Sequence, residues 1–437
     1  MFNNLFSSNE KGHLVIGGCD TVELAAQFGT PLYVLDENAI RENCRRYKQS
    51  LAQNYPDTMP AFAGKSFLTK AMCSLLAQEG MALDTVSGGE IYTALQAGFP
   101  AEKIIFHGNN KSEAEINLAL DSGVGRLVVD STAELHLLSQ LATARDKAAA
   151  IYLRVNPAVT PDTHSYIQTG QVDSKFGFAI DDQIDEAVKL ALSLPGLSLM
   201  GLHCHIGSQI LDLTPFRKMA EAMVDLLNRV RQDAGVLLGE LDLGGGLGIR
   251  YLPTDQPPAI EDYAQVITSA LKESAAKYNL PLPKLLVEPG RSIVGPAGIT
   301  LFTVGSEKEV TGVRKYVAVD GGMTTDLRPA LYDARYHAFV ANRVNEPATE
   351  KVTIAGKACE SGDILIKDIE LPKLHRGDIL ALLATGAYHY SMASNYNRFG
   401  RPAVVFVRDG DANLIVNRET YADLCSNDLL PAHLQTK

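Results

Sequence analysis

The sequence predicts an α/β protein: a TIM-type (β/α)₈ barrel joined to a C-terminal antiparallel β domain that N-terminal strands complete. Three observations predict it. Eight short apolar strands, each running into a polar or glycine-bearing turn and then a helix-like segment, pace the chain from about Pro60 to about Gly290, and strands alternating with helices form parallel βαβ units. Reactive residue types gather where those strands end, the face on which such a barrel carries its chemistry. Beyond Arg291 the β-runs are closely spaced between glycine and proline turns, the pattern of an antiparallel sheet or small barrel.

The expected barrel strands are Met59–Lys65, Ala82–Ser87, Ile104–His107, Arg126–Asp130, Ile151–Asn156, Ser198–Gly207, Gly239–Gly244 and Leu285–Pro289. Ahead of them, His13–Ile16 and Leu32–Leu35 read as strands around a short helix, Thr21–Phe28, a segment too small to fold alone. Downstream runs are Ile299–Val304, Lys315–Val319, Lys351–Ala355, Asp378–Leu383 and Ala403–Arg408. The N-terminal strands are therefore expected to join the C-terminal sheet, giving a barrel over 38–290 inserted into a β-rich domain of 1–37 and 291–437.

Bulk composition narrows the class. A chain of 437 residues, 46% apolar, has length and apolar content for two cores. Its formal charge of −11 disfavours nucleic acid and anionic membrane, whose phosphates an acidic surface repels. Six cysteines, Cys19, Cys44, Cys73, Cys204, Cys359 and Cys425, show no C-x-x-C spacing, which argues against a zinc knuckle or a disulfide framework and for a reducing cytoplasm. No basic-then-apolar leader opens the chain and no apolar window is long enough to span a bilayer, so neither export nor a membrane anchor is expected.

The candidate chemistry starts at Lys65, at the exit of the first strand. A lysine desolvated in an apolar barrel mouth can act as a free amine and form a Schiff base; alternatively it snorkels and pairs with an acid. Gly244-Gly245-Gly246 follows the seventh strand, where backbone N–H groups unobstructed by β-carbons can converge on a phosphate; a plain tight turn is the alternative. Glu288 ends an apolar strand, where a carboxylate needs a partner. If the ligand is a pyridine ring, the carboxylate would keep its nitrogen protonated; the alternative is a buried ion pair with Arg291, which could itself complete an anion site, and the two are compatible. His203 and His205 are two apart on a strand and so share a side, but no third ligand is spaced to complete a tetrahedral set, and no metal is expected. His205, followed by Ile206-Gly207-Ser208-Gln209, suits a flat imidazole lying on an aromatic cofactor.

Taken in order, Ala63-Gly64-Lys65-Ser66-Phe67, Asp84-x-x-Ser87-Gly88-Gly89-Glu90, His203-x-His205-Ile206-Gly207-Ser208-Gln209, Gly244-Gly245-Gly246, Glu288-Pro289-Gly290-Arg291, Cys359-Glu360-Ser361-Gly362-Asp363 and Gly386-Ala387-Tyr388 resemble the fold-type III pyridoxal phosphate decarboxylases over nearly the whole chain. The resemblance implies that Lys65 holds pyridoxal 5′-phosphate, His205 stacks on its ring and Glu288 meets the ring nitrogen. It further implies that Ser208, Gly244, Gly245, Gly246, Gly290, Arg291 and Tyr388 surround the phosphate, with Asp84 and Arg154 near the Schiff base. Cys359 matches the proton donor of a homodimer whose subunits share their active sites, and Lys175 could pair with the partner's Asp363. Arg328 and Tyr332, with Arg291 and Tyr388, match a clamp for a distal carboxylate, while Glu360 would take a distal ammonium.

A substrate with both groups at its far end is meso-2,6-diaminopimelate, and its decarboxylation yields L-lysine and CO₂, the last step of lysine biosynthesis. A decarboxylase of ornithine, arginine or carboxynorspermidine has less use for a buried arginine there. A non-catalytic pyridoxal phosphate regulator would not need Cys359, and an alanine racemase would need a tyrosine as second base. Phe62 and Thr324-Thr325-Asp326 depart slightly from the family pattern. The stretch His164–Gln171 is a candidate lid.

Overall fold

A computed structural model describes residues 5–159 and 175–435. The chain divides into two compact units. One holds the chain up to Ala39, Tyr251–Pro253 and everything from Pro296; the other holds Ile40–Arg250 and Thr254–Gly295.

The four N-terminal strands are β1 (Phe6–Ser8), β2 (Leu14–Ile16), β3 (Cys19–Asp20) and β4 (Leu32–Asp36). The barrel strands follow as β5 (Thr58–Ala63), β6 (Ala82–Thr85), β7 (Ile104–Phe106), β8 (Arg126–Val129), β9 (Ala149–Asn156), β11 (Leu197–Cys204), β12 (Glu240–Asp242) and β13 (Lys284–Val287), with a two-residue β10 (Phe178–Ala179) beside β9. Parallel pairing runs β9-β11-β12-β13-β5-β6-β7-β8 and returns to β9, which closes the ring at eight strands. Each expected barrel strand is present; seven end one to three residues early, because the chain leaves the ladder as soon as the turn begins, and β9 ends at Asn156 as expected but starts two residues sooner.

Local chemistry explains the alternation. Thr69, Ser87, Ser112 and Ser131 each cap the helix that follows a strand by accepting a backbone N–H, satisfying an amide that the first helical turn leaves open. Inside the barrel, Ala61, Ala82, Ile105, Val128, Tyr152 and Leu286 pack as a solid core, the small alanines leaving room for the tyrosine. At the strands' N-terminal end, Arg126 grips Glu240 at 2.7 Å and Tyr152 donates to the same carboxylate at 2.5 Å. That end is locked shut, and the open end carries the chemistry.

In the other unit the remaining strands are β14 (Gly298–Val310), β15 (Arg314–Val319), β16 (Ala338–Val340), β17 (Glu350–Ala355), β18 (Ile364–Leu371), β19 (Ile379–Leu383), β20 (Ala403–Arg408) and β21 (Asp411–Val416). They form a sheet of order β18-β17-β15-β14-β4-β20-β21, with β19 paired to β14 and β16. The N-terminal β4 does join this sheet, between β14 and β20. Strand β2 does not: it builds a separate three-stranded sheet with β1 and β3. Nor is the large sheet wholly antiparallel, since β20 runs parallel to β4 and β17 to β15. The sequence reading overlooked β16, an apolar run of three residues too short to show a period, and β18 and β21, whose partly exposed, mixed-polarity runs lack a clean apolar signal. Among the described residues no helix is long and apolar enough to cross a membrane. The candidate lid His164–Gln171 lies outside the described residues.

Candidate active site

The open end of the barrel gathers a buried ionisable cluster. Glu288, one residue beyond β13, is 4% exposed and lies with Oε1 2.7 Å from His107 Nε2 and Oε2 3.3 Å from His203 Nε2. The two imidazoles meet edge to face at 4.8 Å. Burial alone would raise the Glu288 carboxyl, but the two histidines outweigh it and hold the group well below the usual carboxylate range. Burial keeps His203 neutral, with its pKa pushed down to about 3, so it serves Glu288 as a neutral N–H donor. Asp242 in β12 is pushed well above the carboxylate range by burial and then by the Glu288 charge beside it. The neighbouring acids thus separate into one ion and one neutral acid.

These four side chains, His107, His203, Asp242 and Glu288, bring their ligand-type atoms within 4.8 Å of one another. His203 thus has further ligand-type neighbours, contrary to the expectation from spacing: residues on or just beyond four different strands supply the set, which no linear spacing reveals. A hydrogen bond from His203 and an ion-pair contact from His107 to Glu288 account for their arrangement.

Lys65 sits in the tight turn Gly64–Ser66 that follows β5, its Nζ 3.7 Å from Asp84 Oδ2. Its side chain is 41% exposed, so the expected desolvation is weak in this geometry and Asp84, itself 1% exposed, supports the charged amine. Burial raises the Asp84 carboxyl against the pull of His107 and Lys65. Arg154 leans towards Asp130, 3.9 Å from its Oδ1, and stacks over Phe176 at 4.1 Å.

Two of the residues expected at an anion site are in contact. Arg291 donates to Ser208 Oγ from Nε at 3.2 Å and from Nη2 at 2.8 Å. Gly245 gives its N–H to His205 Nδ1 at 3.2 Å, which fixes a ring that burial and the charge of Lys65 keep neutral. A β-carbon at Gly245 would lie 2.2 Å from the Glu288 carbonyl oxygen, so glycine is needed there for close approach as well as for any ligand. Gly290 likewise admits Ala63 and Ser66, while the Ala63 N–H bonds the Pro289 oxygen at 3.1 Å. The Lys65 turn and the Glu288 loop are therefore tied together across the β13–β5 seam. An amine, a buried carboxylate held ionised, a neutral flat imidazole and an arginine–serine pair fit the aldehyde, ring nitrogen, ring face and phosphate of a pyridoxal cofactor.

The other candidates belong to the β unit. Arg328 opens the short helix Arg328–Tyr332 and lies over the rings of Tyr332 at 5.0 Å and Tyr388 at 5.5 Å. Cys359 and Glu360 are exposed on the loop after β17. The Cys359 N–H bonds Asn397 Oδ1 at 2.8 Å. Asp363, 3% exposed, accepts from the Met323 N–H at 2.6 Å and the Ala358 N–H at 2.8 Å. Its two oxygens thus brace the Met323 turn and its own loop at Ala358. Sequence reasoning missed His107, Asp242, Asp130, Tyr336 and His389; the first three stand at or just beyond strand ends, where a polar residue in an apolar run is the available signal.

Comparison with known proteins agrees with this chemistry. The family described as "Pyridoxal-dependent decarboxylase, pyridoxal binding domain" matches residues 37–295. The diaminopimelate decarboxylase of Bacillus subtilis is 50% identical over 422 residues, 96% of each chain, and that of Synechocystis is 45% identical over 98% of this chain and 92% of its own. The structure of diaminopimelate decarboxylase from M. jannaschii in complex with L-lysine superposes with a TM-score of 0.93 at 38% identity, covering 100% of both chains. The chain belongs to the diaminopimelate decarboxylase family of pyridoxal-dependent decarboxylases.

Proposed function

We propose that the protein removes CO₂ from meso-2,6-diaminopimelate and releases L-lysine. Pyridoxal phosphate, when bound, supplies the electron sink that receives the pair from the broken carbon–carbon bond. Lys65 tethers the cofactor's aldehyde through its amine, with Asp84 and Arg154 as neighbouring charges. Glu288 would keep a proton on the ring nitrogen, and His205 would support the ring face. Ser208, Gly244–Gly246, Gly290, Arg291 and Tyr388 hold the phosphate. At the substrate's far end, Arg328, Tyr332, Arg291 and Tyr388 receive the carboxylate and Glu360 the ammonium. The thiol of Cys359 gives its proton to the α-carbon and regains one from water. The chain works as a homodimer in which Cys359 serves the partner's site, and a reducing cytoplasm suits its six unpaired cysteines.

The observation that carries this reading is Glu288, held ionised by two imidazoles at the barrel end that also bears Lys65. The test measures lysine and CO₂ from meso-diaminopimelate with and without added pyridoxal phosphate, then fixes the adduct with borohydride. A pyridoxyl label on Lys65 is expected, and its absence overturns the assignment. Arg328→Ala should raise KM for diaminopimelate while leaving the visible absorbance of bound cofactor unchanged.

A further inference from the structure

Arg328 is the end of a buried chain of polar groups that its expected role does not explain. Its Nε donates to the Tyr336 hydroxyl at 3.0 Å, and that hydroxyl lies 2.9 Å from His389 Nε2. His389 Nδ1 is in turn 2.5 Å from Asp326 Oδ1, and the Thr300 hydroxyl lies 3.2 Å from the same oxygen. Exposure is 0% for Asp326 and His389, 2% for Tyr336 and 6% for Arg328, so each polar atom must find its partner inside the protein or bear the cost of desolvation.

The chain has a direction. Nδ1 makes a close ion-pair contact with the carboxylate rather than an aligned hydrogen bond; in the neutral tautomer with the proton on Nδ1, Nε2 is the acceptor. Nε2 then takes the Tyr336 O–H, and the tyrosine oxygen, polarised by that donation, accepts the Arg328 Nε–H. With Nε engaged and the rings of Tyr332 and Tyr388 flanking the guanidinium, its two Nη groups make no hydrogen bond among the described residues. Paired, planar Nη donors are the geometry for bidentate capture of a carboxylate. Tyr251 packs edge to face with Tyr336 at 5.0 Å.

We propose that Asp326, His389 and Tyr336 form a relay that positions Arg328 and so sets the preference for a substrate whose far end carries a carboxylate. These three are positioning residues, acting through Arg328, and the proposal rests on the reading of Arg328 as the distal clamp.

The test compares Tyr336→Phe, His389→Gln and Arg328→Lys with the parent holoenzyme, recording kcat and KM for meso-diaminopimelate, cofactor absorbance and melting temperature. Loss of one charge-assisted hydrogen bond predicts a roughly tenfold rise in KM for Tyr336→Phe, with kcat changed about twofold or less. His389→Gln should follow in the same direction, and cofactor absorbance should stay that of the parent. If Arg328→Lys raises KM while both relay variants fold and keep the parent KM, the relay is overturned and the clamp stands. An unchanged KM in Arg328→Lys overturns the clamp itself. Equal losses in kcat and cofactor content, or failure of both relay variants to fold, would reduce the chain to a structural role and overturn the proposal.

Discussion

A carboxylate walled in by apolar strands stays ionised only if donors replace the water it has lost, and Glu288 has His107 and His203 to do so. The pairing also makes the acid's strength depend on its neighbours. Glu288→Gln removes the charge that would protonate a ring nitrogen, and kcat should fall by about 10²- to 10³-fold, the scale of a lost preorganised electrostatic contact. His203→Gln keeps an N–H donor on Glu288 and should cost much less. Steady-state kinetics on both variants check the ordering, and a larger loss in His203→Gln would contradict it.

At the scale of elements, the turns after the strands carry more constraint than the strands do. Gly245→Ala would drive a methyl to 2.2 Å from the Glu288 carbonyl oxygen, and the shift needed to relieve it should cost about 1–3 kcal/mol. Cofactor retention should fall with it, which melting and absorbance measurements read separately. At the head of the helix Gly88–Gln96, Glu90 accepts the Val86 N–H at 2.6 Å, and burial pushes its pKa up from 4.5 to about 7. Because the folded state holds this proton more tightly, the stabilisation is complete below the unfolded value and is lost as pH rises through the folded one. Glu90→Gln keeps an acceptor without the charge, so the variant should gain about 2 kcal/mol over the parent at pH 8 and little at pH 4. Urea unfolding at the two pH values decides this; an equal effect at both would refute the assignment.

At the scale of the whole molecule, the proposed sharing of sites between two copies makes a quantitative demand. Mixing subunits bearing Lys65→Ala with subunits bearing Cys359→Ala should restore about a quarter of parent activity, since half the dimers are mixed and each mixed dimer has one intact site of two. No recovery after verified exchange of subunits would place Cys359 in the same subunit's chemistry or outside the reaction. The sequence alone exposes the two-part architecture, yet Tyr251–Pro253 belongs with the β unit although the barrel chain surrounds it on both sides. A three-residue excursion of this kind has no compositional mark.

What the sequence by itself determined is what short-range pattern encodes: eight apolar strands paced by capped helices, a lysine and a glutamate at strand ends, and the motifs that identify the cofactor class. The tertiary structure alone decided the partners of those residues. Glu288 finds His107 and His203, Asp363 turns inward to the Met323 and Ala358 amides, and Arg328 reaches Asp326 through Tyr336 and His389. The physical reason is that periodicity fixes which face a side chain takes, whereas closing the barrel and laying down the second sheet fix which distant faces meet. A buried charge takes its chemistry from whatever it meets there.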